Sequence, residues 1–255
     1  MIFDTHCHLN SEELYQRLDE VIKSAKEVGV DKFLVVGWDK KSSLLAIELA
    51  NQYDFIYAAI GFHPTDINNL SDEDFDEVMS HLDDPKVVAL GEIGLDYYWV
   101  KDEKMRELQR FYFKKQIKMA NLHHKPISIH NRDAFKDCLD VLKDCKPEFG
   151  GVMHCYSGSV ESMREVLELG LYIGLGGPLT FKNAKTPKEV CEKVPLEKLV
   201  VETDSPYLAP HPLRGTINEP KNIDLVVDEI SRIRNIEKEE ILSKLFKNSC
   251  ELFHV

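Results

Sequence analysis

Short apolar, β-branched runs alternate with longer stretches of helical periodicity along the whole chain. Eight runs read as strands, at residues 2–6, 32–37, 56–61, 87–92, 126–130, 151–154, 171–175 and 199–202. Between them lie amphipathic faces. Leu14, Leu18, Val21, Ile22 and Ala25 form one, stopped at Gly29, and Ala134, Phe135, Cys138, Leu139 and Leu142 form another. Strands alternating with helices imply parallel pairing. Eight such units without a break in composition predict one domain over residues 1–255, closed as an α/β (β/α)₈ TIM barrel with its active site at the C-terminal strand ends. The alternative, an open doubly wound sheet, would usually carry a glycine-rich phosphate loop after its first strand. Here that strand runs into Thr5-His6-Cys7-His8 instead.

Two predicted connections are long, residues 94–99 after the fourth strand and 205–219 after the eighth. The second contains Pro206, Pro210 and Pro212, and Asn218 with Pro220 predicts a capped helix start after it. Long loops inside a compact domain usually carry function.

Length and charge narrow the picture. The 255 residues match the roughly 250 that such a barrel needs. The net charge of −12 excludes holding nucleic acid through a basic bulk field, so a phosphate-bearing substrate has to be gripped locally. That argues against a processive duplex binder but not against a nuclease that attacks ends. Six scattered cysteines without a C-x-x-C pair suit a reducing compartment. With no basic leader and no apolar run of about 20 residues, the expectation is a cytoplasmic protein without membrane contact. No obligate protein partner is evident.

Against the strand pattern, the histidines and acids fall into register. His6 and His8 end the first strand, Glu92 the fourth, His130 the fifth and His154 the sixth, and Asp204 follows the eighth. In a barrel these ends converge on one face. Alternation along the first strand places Asp4, His6 and His8 together and turns Cys7 away. Imidazole with carboxylate suits Zn²⁺, Mn²⁺, Ni²⁺ or Fe²⁺ better than Ca²⁺. Six ligand groups exceed one tetrahedral site and suit two ions sharing a carboxylate. A lone His-x-His is weak evidence, and the coincidence at equivalent strand ends carries the reading. A metal-free polar network is the alternative, but four imidazoles packed among carboxylates have few ways to satisfy their hydrogen bonds.

These residues belong to longer segments: 4–9 (DTHCHL), 61–64 (GFHP), 91–96 (GEIGLD), 130–132 (HNR), 154–158 (HCYSG), 176–178 (GGP), 202–208 (ETDSPYL), Arg214-Gly215 and 218–220 (NEP). In this order they resemble the TatD family of metal-dependent deoxyribonucleases, within the amidohydrolase-like barrels, across essentially the whole chain. The resemblance implies a two-metal site with His6, His8 and Asp204 on one ion, His130 and His154 on the other, and Glu92 bridging. It implies an exonuclease acting on DNA ends with 3′-to-5′ polarity and Mg²⁺ or Mn²⁺ as working ion. Copurified Zn²⁺ or Ni²⁺ would not identify that ion. It leaves open a carboxylic ester substrate on the same site, as in a deacylase of misacylated transfer RNA or a lactonase. A non-catalytic metal-binding scaffold is the reading from another class.

Paired ions can acidify an attacking water and stabilise a leaving oxygen. Asp204 is placed to accept the proton, with Glu92 beside it, and His63, ending the third strand, is a candidate proton donor or phosphate contact. Arg132 and Arg214 are candidate phosphate contacts. Tyr97, Tyr98 and Trp99 are candidates to stack on bases. Lys182 and Lys185 follow the seventh strand and read as a solvated loop. The basic stretch from Lys101 to Lys118 is interleaved with Asp102, Glu103 and Glu107 and reads as a solvated helix face, and the acidic run 72–77 as a helix start capped by Ser71.

Overall fold

The computed structural model describes residues Met1–Val255. Its strands are β1 (Ile2–Cys7), β2 (Val30–Val36), β3 (Ile56–Ile60), β4 (Val87–Asp96), β5 (Ile127–Arg132), β6 (Gly151–Met153), β7 (Tyr172–Leu175) and β8 (Leu199–Val201). Each pairs in parallel with the next in chain order. The seam between β8 and β1 closes by other bonds. The backbone N–H of Asp204 donates to the His6 carbonyl at 2.8 Å, and that of His8 to the Ser205 carbonyl at 2.7 Å. The Asp4 carboxylate accepts from the Thr203 backbone N–H at 3.0 Å and hydroxyl at 2.6 Å. The result is the (β/α)₈ barrel that the alternation predicts.

The helices are α1 (Glu12–Tyr15), α2 (Leu18–Glu27), α3 (Lys40–Gln52), α4 (Asp72–Met79), α5 (Glu103–Leu122), α6 (Phe135–Asp144), α7 (Val160–Glu168), α8 (Lys185–Lys193), α9 (Ile223–Arg234) and α10 (Lys238–Phe253). None is long and apolar enough to cross a membrane. Ser71 caps α4 as expected, accepting from the Asp74 N–H at 3.1 Å. Asn218 serves its turn differently. Its side-chain oxygen accepts from the Glu219 N–H and the Asn222 amide, both at 3.0 Å, ahead of a short 3₁₀ turn that leads into α9.

Alternation sorts the core into two layers. Phe33 and Val35 face outward onto the helices, whereas Leu34 and Val36 face into the barrel with Phe3, Ala59, Val152 and Val200. Leu252 and Phe253, the last turn of α10, join this inner layer, and the Phe3 and Phe253 rings lie 5.8 Å apart. The C-terminal helix thus plugs the end of the barrel opposite the histidines.

Two expectations need correction. Residues 94–96 continue β4, with Gly94, Leu95 and Asp96 paired to His130, Asn131 and Arg132. Gly94 is no breaker here: its φ of +145° and its approach to the His130 carbonyl leave no room for a Cβ. Asp4 also does not join His6 and His8. Register shifts between Asp4 and Cys7 interrupt the alternation, and the Asp4 carboxylate is spent on the seam.

Candidate metal centre

Glu92, buried midway along β4, is the hub of a cluster drawn from six strands and the residues that follow them. Its Oε2 lies 3.5 Å from His6 Nε2 and 3.9 Å from His8 Nε2. Its Oε1 lies 2.7 Å from both His130 Nδ1 and His154 Nε2, and 3.8 Å from His63 Nε2. Asp204 Oδ1 stands beside the first set only, 3.5 Å from His8 Nε2 and 3.8 Å from His6 Nε2. One carboxylate therefore faces two groups of imidazoles through its two oxygens.

Four of the five imidazoles are fixed from behind by a hydrogen bond on the other nitrogen. His8 Nδ1 meets the Val36 carbonyl at 3.0 Å, His6 Nδ1 the Ser128 hydroxyl at 3.3 Å, and His130 Nε2 the Asp96 carboxylate at 3.0 Å. His63 Nδ1 meets the Thr65 hydroxyl at 2.7 Å, with Asp66 behind it at 3.5 Å. His154 Nδ1 lies 3.3 Å from Glu202 without a well-aligned hydrogen bond. Such outer partners orient metal-binding histidines. The donor set also passes a test of fit: His6 Nε2 is buried, aimed at Glu92 and Asp204, and has no hydrogen-bond partner. An orphaned ring nitrogen facing two carboxylates is what a bound divalent cation would satisfy.

Residues 3–254 match the family model described as TatD related DNase. The chain belongs to this TatD-related family. An uncharacterized metal-dependent hydrolase of Bacillus subtilis is 44% identical, with all of both chains aligned. Another from Methanocaldococcus jannaschii is 35% identical, covering 98% of this chain and 96% of the relative. Among solved structures, a TatD homolog from Escherichia coli K12 superposes with a TM-score of 0.95 at 30% identity, covering 100% of this chain and 98% of that one.

In this TatD-related site, burial opposes every charge, and the outcome at each group depends on its neighbours. Burial pushes the Glu92 carboxyl up, but His154, His63 and His130 outweigh it and hold Glu92 well below the usual carboxylate range. Asp204 is lowered likewise, against burial, by His8, His154 and His6. Burial pulls His154 down, yet Glu92 and Glu202 raise it well above the ordinary imidazole value. His8 and His130 are raised in the same way by their carboxylates. His6 and His63 are lowered, first by burial and then by neighbouring imidazoles. A divalent cation binds imidazole only in its deprotonated form, so a cation here would displace any proton these histidines carry.

All six predicted ligands of this TatD-related chain, and His63, converge. The aromatic prediction splits. Trp99 is 67% exposed and the Arg132 guanidinium lies 4.0 Å over the Tyr98 ring and 5.7 Å from the Trp99 ring. Tyr97, by contrast, is buried at 8% exposure; its hydroxyl donates to Asp137 and accepts from Arg110, both at 2.7 Å. It holds α5 to α6 and is unavailable for stacking on a base. Arg214 lies over Phe181 at 4.2 Å, away from Arg132's aromatic cluster. Cys7 and Cys155 carry thiols that burial pushes well above their usual range, which argues against a thiolate nucleophile. Asp96 and Glu202 carry no assignment from the sequence, though a signal existed for one: Asp96 shares strand parity with Glu92 on β4, whereas Glu202 lies past the end of β8. Gly174 leaves the space for Glu202, since a Cβ there would stand 2.6 Å from its Oε2.

Proposed function

We propose that the chain, as one domain, hydrolyses phosphodiesters at DNA ends in the 3′-to-5′ direction with two divalent cations, Mg²⁺ or Mn²⁺. The observation carrying this reading is the division of imidazoles between the two oxygens of Glu92. His6, His8 and Asp204 with Oε2 would hold one ion, and His130 and His154 with Oε1 the other. Ions held there would supply acidification of the attacking water and stabilisation of charge on the phosphoryl and leaving oxygens.

The protein's own groups supply the rest. Asp204, kept ionised by its histidines, accepts the proton of the water on its carboxylate. His63 presents Nε2 to the same space, where it contacts the phosphate or the departing oxygen. Arg132 neutralises a phosphate oxygen, and the open face of Trp99 stacks on a base. In a protein of net charge −12 such local contacts replace a general basic field. Six free cysteines support a reducing, cytoplasmic setting.

The test is cleavage of an end-labelled single-stranded oligonucleotide with Mg²⁺, Mn²⁺ or EDTA, comparing wild type with Asp204→Asn. Metal-dependent shortening from the 3′ end by wild type alone is expected. No cleavage, or equal cleavage by the variant, overturns the nuclease reading and moves the substrate to a carboxylic ester on the same centre.

A further inference from the structure

The loops that follow β7 and β8 flank an open cavity of about 560 Å³ at the same end of the barrel as Asp204. Phe181, Lys182, Asn183, His211 and Arg214 line it, and no carboxylate does. Lys182 and Arg214 enter no ion pair, whereas Arg17, Lys40, Arg110 and Arg232 are each matched to an acid. In an acidic protein, a concave site lined by unmatched cations without an acid selects anions. The Arg214 guanidinium lies 4.2 Å over the Phe181 ring, which limits its freedom and leaves its edge for a planar, two-point contact.

The floor is latched. Thr180 accepts from the His211 N–H and donates to the Gly177 carbonyl, both at 2.7 Å. Gly177 lies against the Leu208 carbonyl so closely that no Cβ fits. The neighbouring segment reaches the metal cluster: the Tyr207 ring stands edge-on to His8 at 5.9 Å, while Leu208 abuts Gly177. Residues 207 and 208 thus link His8 of the cluster to Gly177 beside the cavity, and a strand held at both places would run along them.

We propose that this cavity is a second phosphate subsite, holding a phosphodiester adjacent to the one being cut, so that turnover prefers substrates with at least two consecutive phosphates. The strand assignment rests on the nuclease reading above; the anion site rests on the cavity alone. Free phosphate shares the recognising chemistry, and the experiment separates the two sources.

Binding is measured by anisotropy of a labelled short oligothymidylate on the full chain in EDTA, across a salt series, for wild type and Lys182→Gln/Arg214→Gln. Both side chains are exposed, so the fold tolerates the change. The variant is expected to bind about 10- to 100-fold more weakly, with a salt slope shallower by about 0.7 for the lost phosphate contact. Unchanged affinity and slope overturn the subsite. A variant that loses inorganic phosphate but holds the oligonucleotide like wild type assigns the cavity to free phosphate and also overturns it. With metal present, the ratio of kcat/KM on the oligonucleotide to that on thymidine 5′-(p-nitrophenyl phosphate), which has a single diester, is expected to fall about 10-fold in the variant. Equal losses on both substrates contradict a separate subsite. If wild type cleaves neither, the nuclease reading has failed and the binding arm alone decides the anion site.

Discussion

The two ends of this barrel are built from opposite chemistry. At the N-terminal end, Phe3, Val152 and Val200 close against Leu252 and Phe253, and every group is satisfied by contact alone. At the C-terminal end, His6, His8, Glu92, Asp96, His154 and Glu202 are as deeply buried, yet each depends on a partner of the right charge and direction. An apolar plug accepts other side chains of similar volume. A buried polar cluster does not accept loss of one member, because the remaining charges are left unpaired. Stability and chemistry are therefore separable along the barrel axis.

That separation is strained most by paired substitutions at the two ends. Asp204→Asn is expected to lower kcat by about 10²- to 10⁴-fold while moving the urea midpoint less than loss of a plug residue does, because Asp204 is only partly buried. Phe253→Ala should do the reverse, costing about 3–5 kcal/mol of folding stability with metal affinity preserved in the folded fraction. If either variant produces the other's effect, the two ends are coupled and the comparison breaks. Glu202→Gln tests the polar end more finely. Loss of the carboxylate behind His154 should weaken metal binding about 10- to 100-fold, measured by competition with a chelating dye, and an unchanged affinity would reduce Glu202 to a filler.

The narrowest test concerns pH. Burial pushes the Asp4 carboxyl up to about 7 against its hydrogen bonds from Thr203. The folded chain holds this proton where the unfolded chain, with its carboxyl near 3.8, has released it. The stabilisation is full below the unfolded value and is lost as pH rises toward 7. Urea unfolding of metal-free Asp4→Asn between pH 4 and 7 should show a dependence flatter by about one proton. An identical dependence would place Asp4's titration elsewhere.

Much of this was legible in the residues. Eight apolar runs read correctly as strands, and the six candidate ligands at their ends converge, because alternation and barrel geometry bring the ends of distant strands together. The stretch from Gly94 misled: it reads as the start of a connection, whereas the strand continues through Asp96 because Gly94 can approach the His130 carbonyl where no Cβ fits. Tyr97 misled for a different reason. Which side of a loop a ring faces is decided by distant partners, here Asp137 and Arg110 on two helices. Asp4 was misplaced because register shifts leave no local mark in a strand of mixed residues. The cavity between the loops after β7 and β8 exists only in three dimensions, since Phe181 and Arg214 are distant in sequence.

The central claim is that Glu92 stands between two cations. Titration of the metal-free chain with Mn²⁺, following the free ion by electron paramagnetic resonance, tests it most directly. Two ions per chain in wild type, with both affinities weakened in Glu92→Ala, is the predicted result. One ion per chain, or a Glu92→Ala chain that still binds two with wild-type affinity, would contradict it.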